Sequence, residues 1–280
     1  MKMNKLILKH IKHSLKLCFM WNYVYIHAPL RNLWRSRSGN CHVTILLYHR
    51  VSNEKMDNIT VTPAQFIRQL SILKRDYDII DMKNFLSDAG RWRKKTAVVI
   101  SFDDGYQDNH EAAKILRKEN VPATFFVSTG IIGTKNSFPM DIRLNRQLPT
   151  LSWNQVMEIS SWGFHIGNHS VSHCDMGKIS VENSLDEIKK ATQDIAQKLG
   201  DKDAGRWFAF PFGRPRNMKN AVIEGLEKIA IDCCFSAYGG VNQQDFNRYD
   251  IARQPVSHQF SDLAFRALIE GYLVGQQQSS

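Results

Sequence analysis

The sequence predicts an α/β fold in which parallel strands are covered by helices on the outside. Three observations carry that expectation. Strand and helix signals alternate from Thr44 onward, which in one sheet implies parallel strands joined by crossover helices. The residues with catalytic chemistry fall at the ends of strand-like runs, where a (β/α) barrel builds its site. A chain of 280 residues with 43% hydrophobic content can bury a full core, and a single barrel fits that length as well as two smaller domains do. We read one domain, residues 41–275, preceded by an extension over 1–40 and followed by a disordered tail, 276–280.

The extension comes first. Lys2, Lys5, Lys9, Lys12 and Lys16 fall in one narrow arc of a helical wheel, with Leu8, Ile11, Leu15 and Cys18 on another side. This is the pattern of a helix lying in a membrane interface, and it predicts peripheral membrane contact through residues 1–26. The stretch Leu17 to Ile26 is apolar and aromatic but is broken by Asn22 and ends at His27 and Pro29, too short for a span. A secretory or anchor signal and a plain surface helix are the alternatives; no small-x-small cleavage site follows the long basic region.

In the main domain, Thr44 to Tyr48 reads as a strand. Thr62 is placed to cap a helix with Pro63 at its first position and Phe66, Leu70 and Leu73 on one face. Ile79-Ile80 is a short strand, and Ala97 to Phe102, bounded by Lys94-Lys95 and Gly105, is a buried one. A helix around Glu111 to Lys118 precedes the strand Ala123 to Val127. The segment 131–150 has no strong pattern and is a candidate substrate border. Ser152-x-x-Gln155 is a capping box for a helix to about Ser161, followed by a strand from Phe164 to Gly167. A helix from Ser180 to Leu199, stopped by Gly200, leads to the strand Trp207 to Phe210. Asp232 to Ser236 and Arg248 to Ala252 are later strands, and Asp262 to Val274 is a final amphipathic helix. Trp153, Trp162 and Trp207 read as core, and His42 and His165 as packing or surface histidines.

Two segments carry the chemistry. Ser101-Phe102-Asp103-Asp104-Gly105 delivers adjacent carboxylates to a strand's end, where the turn that Gly105 permits can bring both toward one pocket. His169-Ser170-Val171-Ser172-His173 places two imidazoles one helical turn apart, a spacing suited to chelating one ion. A lone Asp-Asp-Gly is a turn and a lone His-x-x-x-His a coincidence; together, each at a strand end, they describe a metal site with a base beside it. One carboxylate and two imidazoles leave positions open for water and substrate, as in a catalytic site.

These residues resemble the motifs of the polysaccharide deacetylase family, which carries the chitooligosaccharide deacetylase homology domain and is classed as carbohydrate esterase family 4. The resemblance runs from about Thr44 to Val256 and includes Ala123-Thr124-Phe125-Phe126-Val127 and Leu47-Tyr48-His49-Arg50-Val51. It implies a distorted (β/α)7 barrel and a metal-dependent hydrolase that removes N-linked acetyl groups from the amino sugars of a glycan. By the same resemblance Asp103 is the catalytic base, and Asp104, His169 and His173 bind a divalent metal, for which zinc suits two imidazoles and a carboxylate. The third motif of better-known members, Arg-x-Pro-Tyr-Gly, stands here as Ala209-Phe210-Pro211-Phe212-Gly213, a form similar to an exopolysaccharide-modifying branch. It implies an oxyanion donor in the Phe212 N–H, with Pro211 among the substrate-binding residues. For the general acid the resemblance offers His49, after the first strand, ahead of His258 in Val256-Ser257-His258. Arg253 is expected to orient Asp103 or to touch substrate. The altered third motif leaves a catalytically inactive glycan-binding protein as an alternative, and the lysine-striped helix leaves a deacylase of a lipid-linked sugar.

The formal charge of +10 does not indicate nucleic acid. No Asp or Glu precedes Glu54, whereas Lys2, Lys5, Lys9, Lys12, Lys16, Arg31, Arg35, Arg37 and Arg50 all lie before it, so the remainder holds 28 basic against 27 acidic residues. The cysteines, Cys18, Cys41, Cys174, Cys233 and Cys234, are odd in number and lack zinc-ribbon spacing, which points to a reducing compartment. Cys174, beside His173, reads as a small packed residue rather than a ligand. A membrane-associated or cytoplasmic location is expected ahead of secretion.

Overall fold

The computed structural model describes residues 2–38, 42–54, 57–87 and 96–272, with side chains omitted at 2–10 and 35–38. The expected tail, the boundary at 40/41, Cys41, Lys94-Lys95 and the side chains of Lys2, Lys5, Leu8, Lys9, Arg35 and Arg37 lie outside the described residues. In chain order, α1 (Lys2–Asn22), a π-helical turn (Tyr23–His27) and α2 (Ala28–Ser38) lead to β1 (Val43–Tyr48). Then come β2 (Arg50–Val51), β3 (Thr60–Val61), α3 (Pro63–Asp76), β4 (Asp78–Ile79), α4 (Met82–Ser87), β5 (Ala97–Phe102) and α5 (Asp108–Lys118). They are followed by β6 (Thr124–Val127), α6 (Pro139–Arg143), α7 (Trp153–Ser161), β7 (His165–Asn168) and α8 (Val181–Leu199). The chain closes with β8 (Trp207–Ala209), α9 (Asn220–Leu226), β9 (Cys233–Phe235), β10 (Arg253–Pro255) and α10 (Asp262–Ile269).

Seven strands pair in the order β10-β1-β5-β6-β7-β8-β9, with β4 beside the start of β5. Every pairing in this sheet is parallel. An isolated parallel bridge from Phe235 to Ile251 brings β9 toward β10, so the sheet curls into a nearly closed barrel with helices around it. The period of two sorts the side chains. Val98, Ile100 and Phe102 of β5 join Leu46, Tyr48, Phe66 and Phe125 in the layer under the helices, where Tyr48 and Phe125 both stack on the Phe102 ring. Ala97 and Val99 join Val43, Ile45, Phe126, Ala209 and Phe235 on the inner face, with Met82 and Phe85 of α4 packed against them. Ser101 and Asp103 continue that inner face.

The punctuation expected from sequence is present. Thr62 accepts from the Gln65 N–H, Ser152 and Gln155 form a reciprocal capping box, and Gly200 ends α8 at φ +67. His42 is buried with Nε2 3.2 Å from the Ile269 carbonyl, and His165 lies 3.2 Å from Asp81. Three elements have a boundary that differs by more than one residue. The helix expected from Glu111 begins at Asp108, and α10 stops at Ile269 rather than running toward Val274. The last strand is Arg253–Pro255, not Arg248 to Ala252: Arg248 donates to the Leu86 carbonyl (2.9 Å), and Ile251 makes only its isolated bridge.

The N-terminal helix also departs from expectation. It passes through Pro29 to Ser38, because the Ala28 N–H bonds the Tyr23 carbonyl five residues back and the widened turn accommodates a ring that would crowd the preceding turn. Met20, Val24 and Ala28 are buried against the barrel. Arg31 pairs with Glu270 (2.6 Å), the Tyr23 hydroxyl donates to the Glu270 carbonyl (3.1 Å), and Asn32 donates to Thr96 Oγ1 (3.0 Å), one residue before β5. The helix is therefore docked at the end of the barrel where the strands begin.

Gly167 of β7 has no room for a side chain: a Cβ there would lie 2.3 Å from Cδ1 of Phe126. Gly167→Ala is expected to destabilise the barrel by roughly 1–3 kcal/mol, the usual range for overpacking, read as a lower denaturation midpoint with an unchanged slope. An unchanged midpoint would contradict this packing.

Candidate metal centre and active site

Asp103 sits one step past β5, its N–H donating to the Tyr48 carbonyl (3.0 Å) and its side chain on the inner face. The next residue turns the chain. Asp104 adopts φ +77 and the Gly105 N–H closes onto the Asp103 carbonyl (3.0 Å), a γ-turn that swings the second carboxylate into the same pocket. Gly105 follows at φ +90, and a Cβ there would meet Ile132 Cγ2 at 2.9 Å. The glycine is needed, but the reversal occurs at the aspartate.

The histidines do not lie on a helix. Residues 169–173 form a loop after β7, with Ser170 at φ +65 and His173 at φ +55. That loop converges the imidazoles because it is tied down from several sides. Asn168 Oδ1 accepts from Ser170 N–H (2.7 Å), Ser170 Oγ from His173 N–H (3.0 Å), and Glu187 of α8 from Val171 and Ser172 N–H (3.0 and 2.8 Å). Nothing in the local sequence marks Glu187 for this work, and Asn168 has only its place directly before the motif to suggest it.

Asp104, His169 and His173 bring their ligand atoms within 4.8 Å of one another. Asp104 Oδ1 lies 3.1 Å from His173 Nε2 and 3.4 Å from His169 Nε2, yet it is buried with no hydrogen-bond donor. His169 Nδ1 faces the Ala209 carbonyl at 2.8 Å; a carbonyl only accepts, so the proton resides there and the Nε2 lone pair is left toward Asp104. The His173 ring is held edge-on between Phe138 and Phe212, with centroids 5.3 and 5.0 Å away. A donorless carboxylate oxygen facing two imidazole nitrogens fits a divalent cation. Burial pushes the Asp104 carboxyl up, but the two imidazoles more than reverse this and hold it well below the ordinary range. Cys174 is not part of the group, and burial raises its thiol.

Asp103 is clamped from beneath. Arg253 donates through Nη1 to Asp103 Oδ1 (2.6 Å) and through Nη2 to Oδ2 (2.7 Å), while its Nε donates to the Ser236 carbonyl (2.8 Å). The guanidinium also lies over the rings of Phe126 (5.2 Å) and Phe235 (5.9 Å). Burial acts to raise Asp103, and the Arg253 charge, with His169 and His49, outweighs it, so the carboxyl lies below its ordinary value. Arg253 has 0% exposure. Its side chain is turned onto Asp103 and has no exposed surface. Pro211 is likewise buried; the exposed side chain of that motif is Phe212.

Phe212 has φ +63, and the Gly213 N–H closes on the Pro211 carbonyl (2.7 Å), a second γ-turn. No acceptor takes the Phe212 N–H among the described residues. Gly213 is packed so closely that a Cβ would lie 2.5 Å from Ala237 N. His49, half-buried after β1, has its Nδ1 without a partner, and Asn109 fixes its carbonyl (2.6 Å). Burial lowers the His49 pKa, Asp104 and Asp103 oppose the shift, and Arg253 and His169 reinforce it. His49 thus lies in the field of the cluster. For His258 no interaction with Asp103, Asp104 or His169 is found among the described residues; its carbonyl accepts from Gln65 (3.1 Å). The patternless segment 131–150 holds the short α6 and places Phe138 against His173, with the Tyr106 hydroxyl donating to Asp141 (2.9 Å).

Comparison with known proteins bears on the fold and the family. A poly-β-1,6-N-acetyl-D-glucosamine N-deacetylase of Staphylococcus aureus is 27% identical over 252 residues, covering 85% of this chain and 80% of the relative. The structure of the Streptococcus pyogenes deacetylase PplD in complex with acetate superposes with a TM-score of 0.69 at 20% identity, over 81% of this chain and 98% of that one. That of IcaB from Ammonifex degensii gives a TM-score of 0.66 at 20% identity, over 85% and 98%. These solved structures share the barrel fold. The sequence profile of the polysaccharide deacetylase family matches residues 91–232, from before the Asp-Asp pair to the start of β9. The chain belongs to the polysaccharide deacetylase family.

Proposed function

We propose that the chain hydrolyses the acetamide of N-acetylglucosamine units in a glycan, with Zn2+ as the ion held by Asp104, His169 and His173. The observation that carries this reading is the donorless Asp104 oxygen facing two imidazoles beside an arginine-clamped carboxylate. When bound, the cation supplies Lewis-acid chemistry, polarising the carbonyl and making water more acidic. Asp103, kept ionised by Arg253, receives the proton of the water that adds to the acetyl carbon. The Phe212 N–H donates to the oxyanion that forms. His49 gives a proton to the sugar nitrogen as the carbon–nitrogen bond breaks, releasing acetate and a free amine. The name of the S. aureus relative makes a β-1,6-linked polymer the first glycan to try. A second reading adds peripheral membrane contact through residues 1–26, supported by exposed apolar side chains such as Ile11, Leu15 and Phe19. A membrane-associated location follows from it.

Acetate release from N-acetylglucosamine oligomers tests the main reading: metal-loaded protein is expected to release it, and chelated protein or Asp103→Asn to lose it. Asp103→Asn should still bind one ion per chain; full activity in that variant would remove Asp103 as base, and a loaded protein inert on all glycans would favour the inactive glycan-binding alternative. Arg253→Lys keeps the charge but loses the fork, so kcat is expected to fall roughly 100-fold with metal affinity unchanged. A fall in metal affinity alone would contradict an orienting role. A general acid must be protonated, so activity should decline as the pH rises through the lowered His49 pKa. His49→Ala should lose about 100-fold or more in rate together with that alkaline limb, whereas His258→Ala should keep it. Zinc at about 100 times its Kd is expected to stabilise the fold by about 2.7 kcal/mol, read as a thermal shift that His173→Ala abolishes.

A further inference from the structure

The N-terminal helix and the metal cluster occupy opposite ends of the barrel. Asn32 holds Thr96, the residue before β5, and Asp103 is the residue after it. A six-residue strand at ~3.3 Å per residue separates the two by about 20 Å, and the helix itself adds about 10 Å of thickness. The side of the helix turned to the barrel is fixed by Met20, Val24, Ala28 and Arg31. What remains outside is apolar and aromatic to an unusual degree. Ile11 and Leu15 are exposed one turn apart, followed by Phe19 (64% exposed), Trp21, Tyr25 and Trp34 (67%). Lys12 and Lys16 are exposed on the same helix.

We infer that this outward face rests on an anionic lipid bilayer and holds the barrel with its strand-start end toward the membrane, so that the metal cluster opens into solution and acts on glycan in the aqueous phase rather than on a lipid-linked sugar. The charge pattern selects this occupant. The helical segment 2–38 holds no acidic residue, and of its basic ones Arg31 is paired with Glu270 while Lys12 is exposed, so a second copy seated on the face would oppose like charges, whereas anionic headgroups complement them. Trp and Tyr side chains suit the boundary between acyl chains and water. Among the described residues no helix is long and apolar enough to cross a membrane, so the helix would lie in the interface. With the site about 20 Å or more from that surface, a sugar carried in the headgroup layer stays out of reach. The substrate part of this inference rests on the deacetylase reading; the surface part does not.

Full-length protein is incubated with vesicles of phosphatidylcholine alone or mixed with phosphatidylglycerol and then sedimented. Pelleting with the anionic vesicles, weakened by salt and at least 10-fold in the Leu15→Glu/Phe19→Glu double variant, is the expected result; acetate release from soluble oligomers should be unchanged in that variant. Pelleting that the double variant keeps overturns the surface, as does a protein that ignores vesicles and forms a dimer which the double variant dissociates. Orientation is read without catalysis, in a Cys18→Ser background, from a fluorophore at Lys135→Cys on the strand-end side or at Lys118→Cys on the other. Energy transfer to a headgroup dye should be several-fold stronger from position 118, and equal transfer overturns the orientation. Vesicle-bound enzyme should release acetate from soluble oligomers and not from N-acetylglucosamine linked to a polyprenyl diphosphate in the same vesicles. Equal release from both overturns the substrate inference, and release from neither counts against the deacetylase reading alone.

Discussion

The rest of the site depends on the ion pair between Arg253 and Asp103, buried inside the barrel. Two charges removed from water are tolerable only when every donor and acceptor is answered. Here both carboxylate oxygens meet the guanidinium fork, the Nε finds the Ser236 carbonyl, and two phenylalanine faces line the cation. The pair joins β10 to the end of β5 across the lumen. Arg253 also reaches across the seam where the sheet nearly closes, through its Nε to the Ser236 carbonyl just past β9, and its charge keeps the Asp103 carboxyl below its ordinary pKa. Removing one partner of such a pair typically costs about 3–5 kcal/mol.

Around that pair the backbone is held in conformations that ordinary residues avoid. Among the described residues seven other than glycine have positive φ, and four of them, Asp104, Ser170, His173 and Phe212, belong to the site. Each aims a group that a regular strand or helix would point elsewhere: a carboxylate, two ends of an imidazole loop, a backbone N–H. The surrounding structure enforces these shapes through the Glu187 carboxylate on the 170s loop and the Ala237 backbone against Gly213. Local strain of this kind persists where the neighbours over-determine it. The altered third motif is compatible with such a design, because the turn presents a main-chain donor that does not depend on the aromatic side chain.

The two ends of the barrel carry different work. The strand ends gather ionisable groups in a buried, polar pocket, and the strand starts receive a long helix through apolar contacts and the Arg31–Glu270 pair. The excess positive charge of the chain is confined to that helix and the first strand region, leaving the barrel almost neutral. The ionisable cluster and the cationic helix are in this way separated along the strand direction.

The alternation of strands and helices, the caps at Thr62, Ser152 and Gly200, the charge asymmetry and the residue types of a metal site were legible in the chain alone. All of these rest on local physics: side-chain period, backbone preferences and the donor chemistry of Asp and His. The path between the two histidines was settled by packing, because a four-residue spacing is equally consistent with a helical turn and with a loop pinned by Glu187 from another element. Packing also turned Arg253 inward onto Asp103 rather than out to solvent. A side chain's direction inside a barrel is set by strand register, here Ile45 opposite Arg253 and Leu47 opposite Ser101. The passage of the N-terminal helix through Pro29 was closed to sequence reading for the same reason, since a π-turn is chosen by what the helix docks against. Long-range packing places the groups that local pattern can only name.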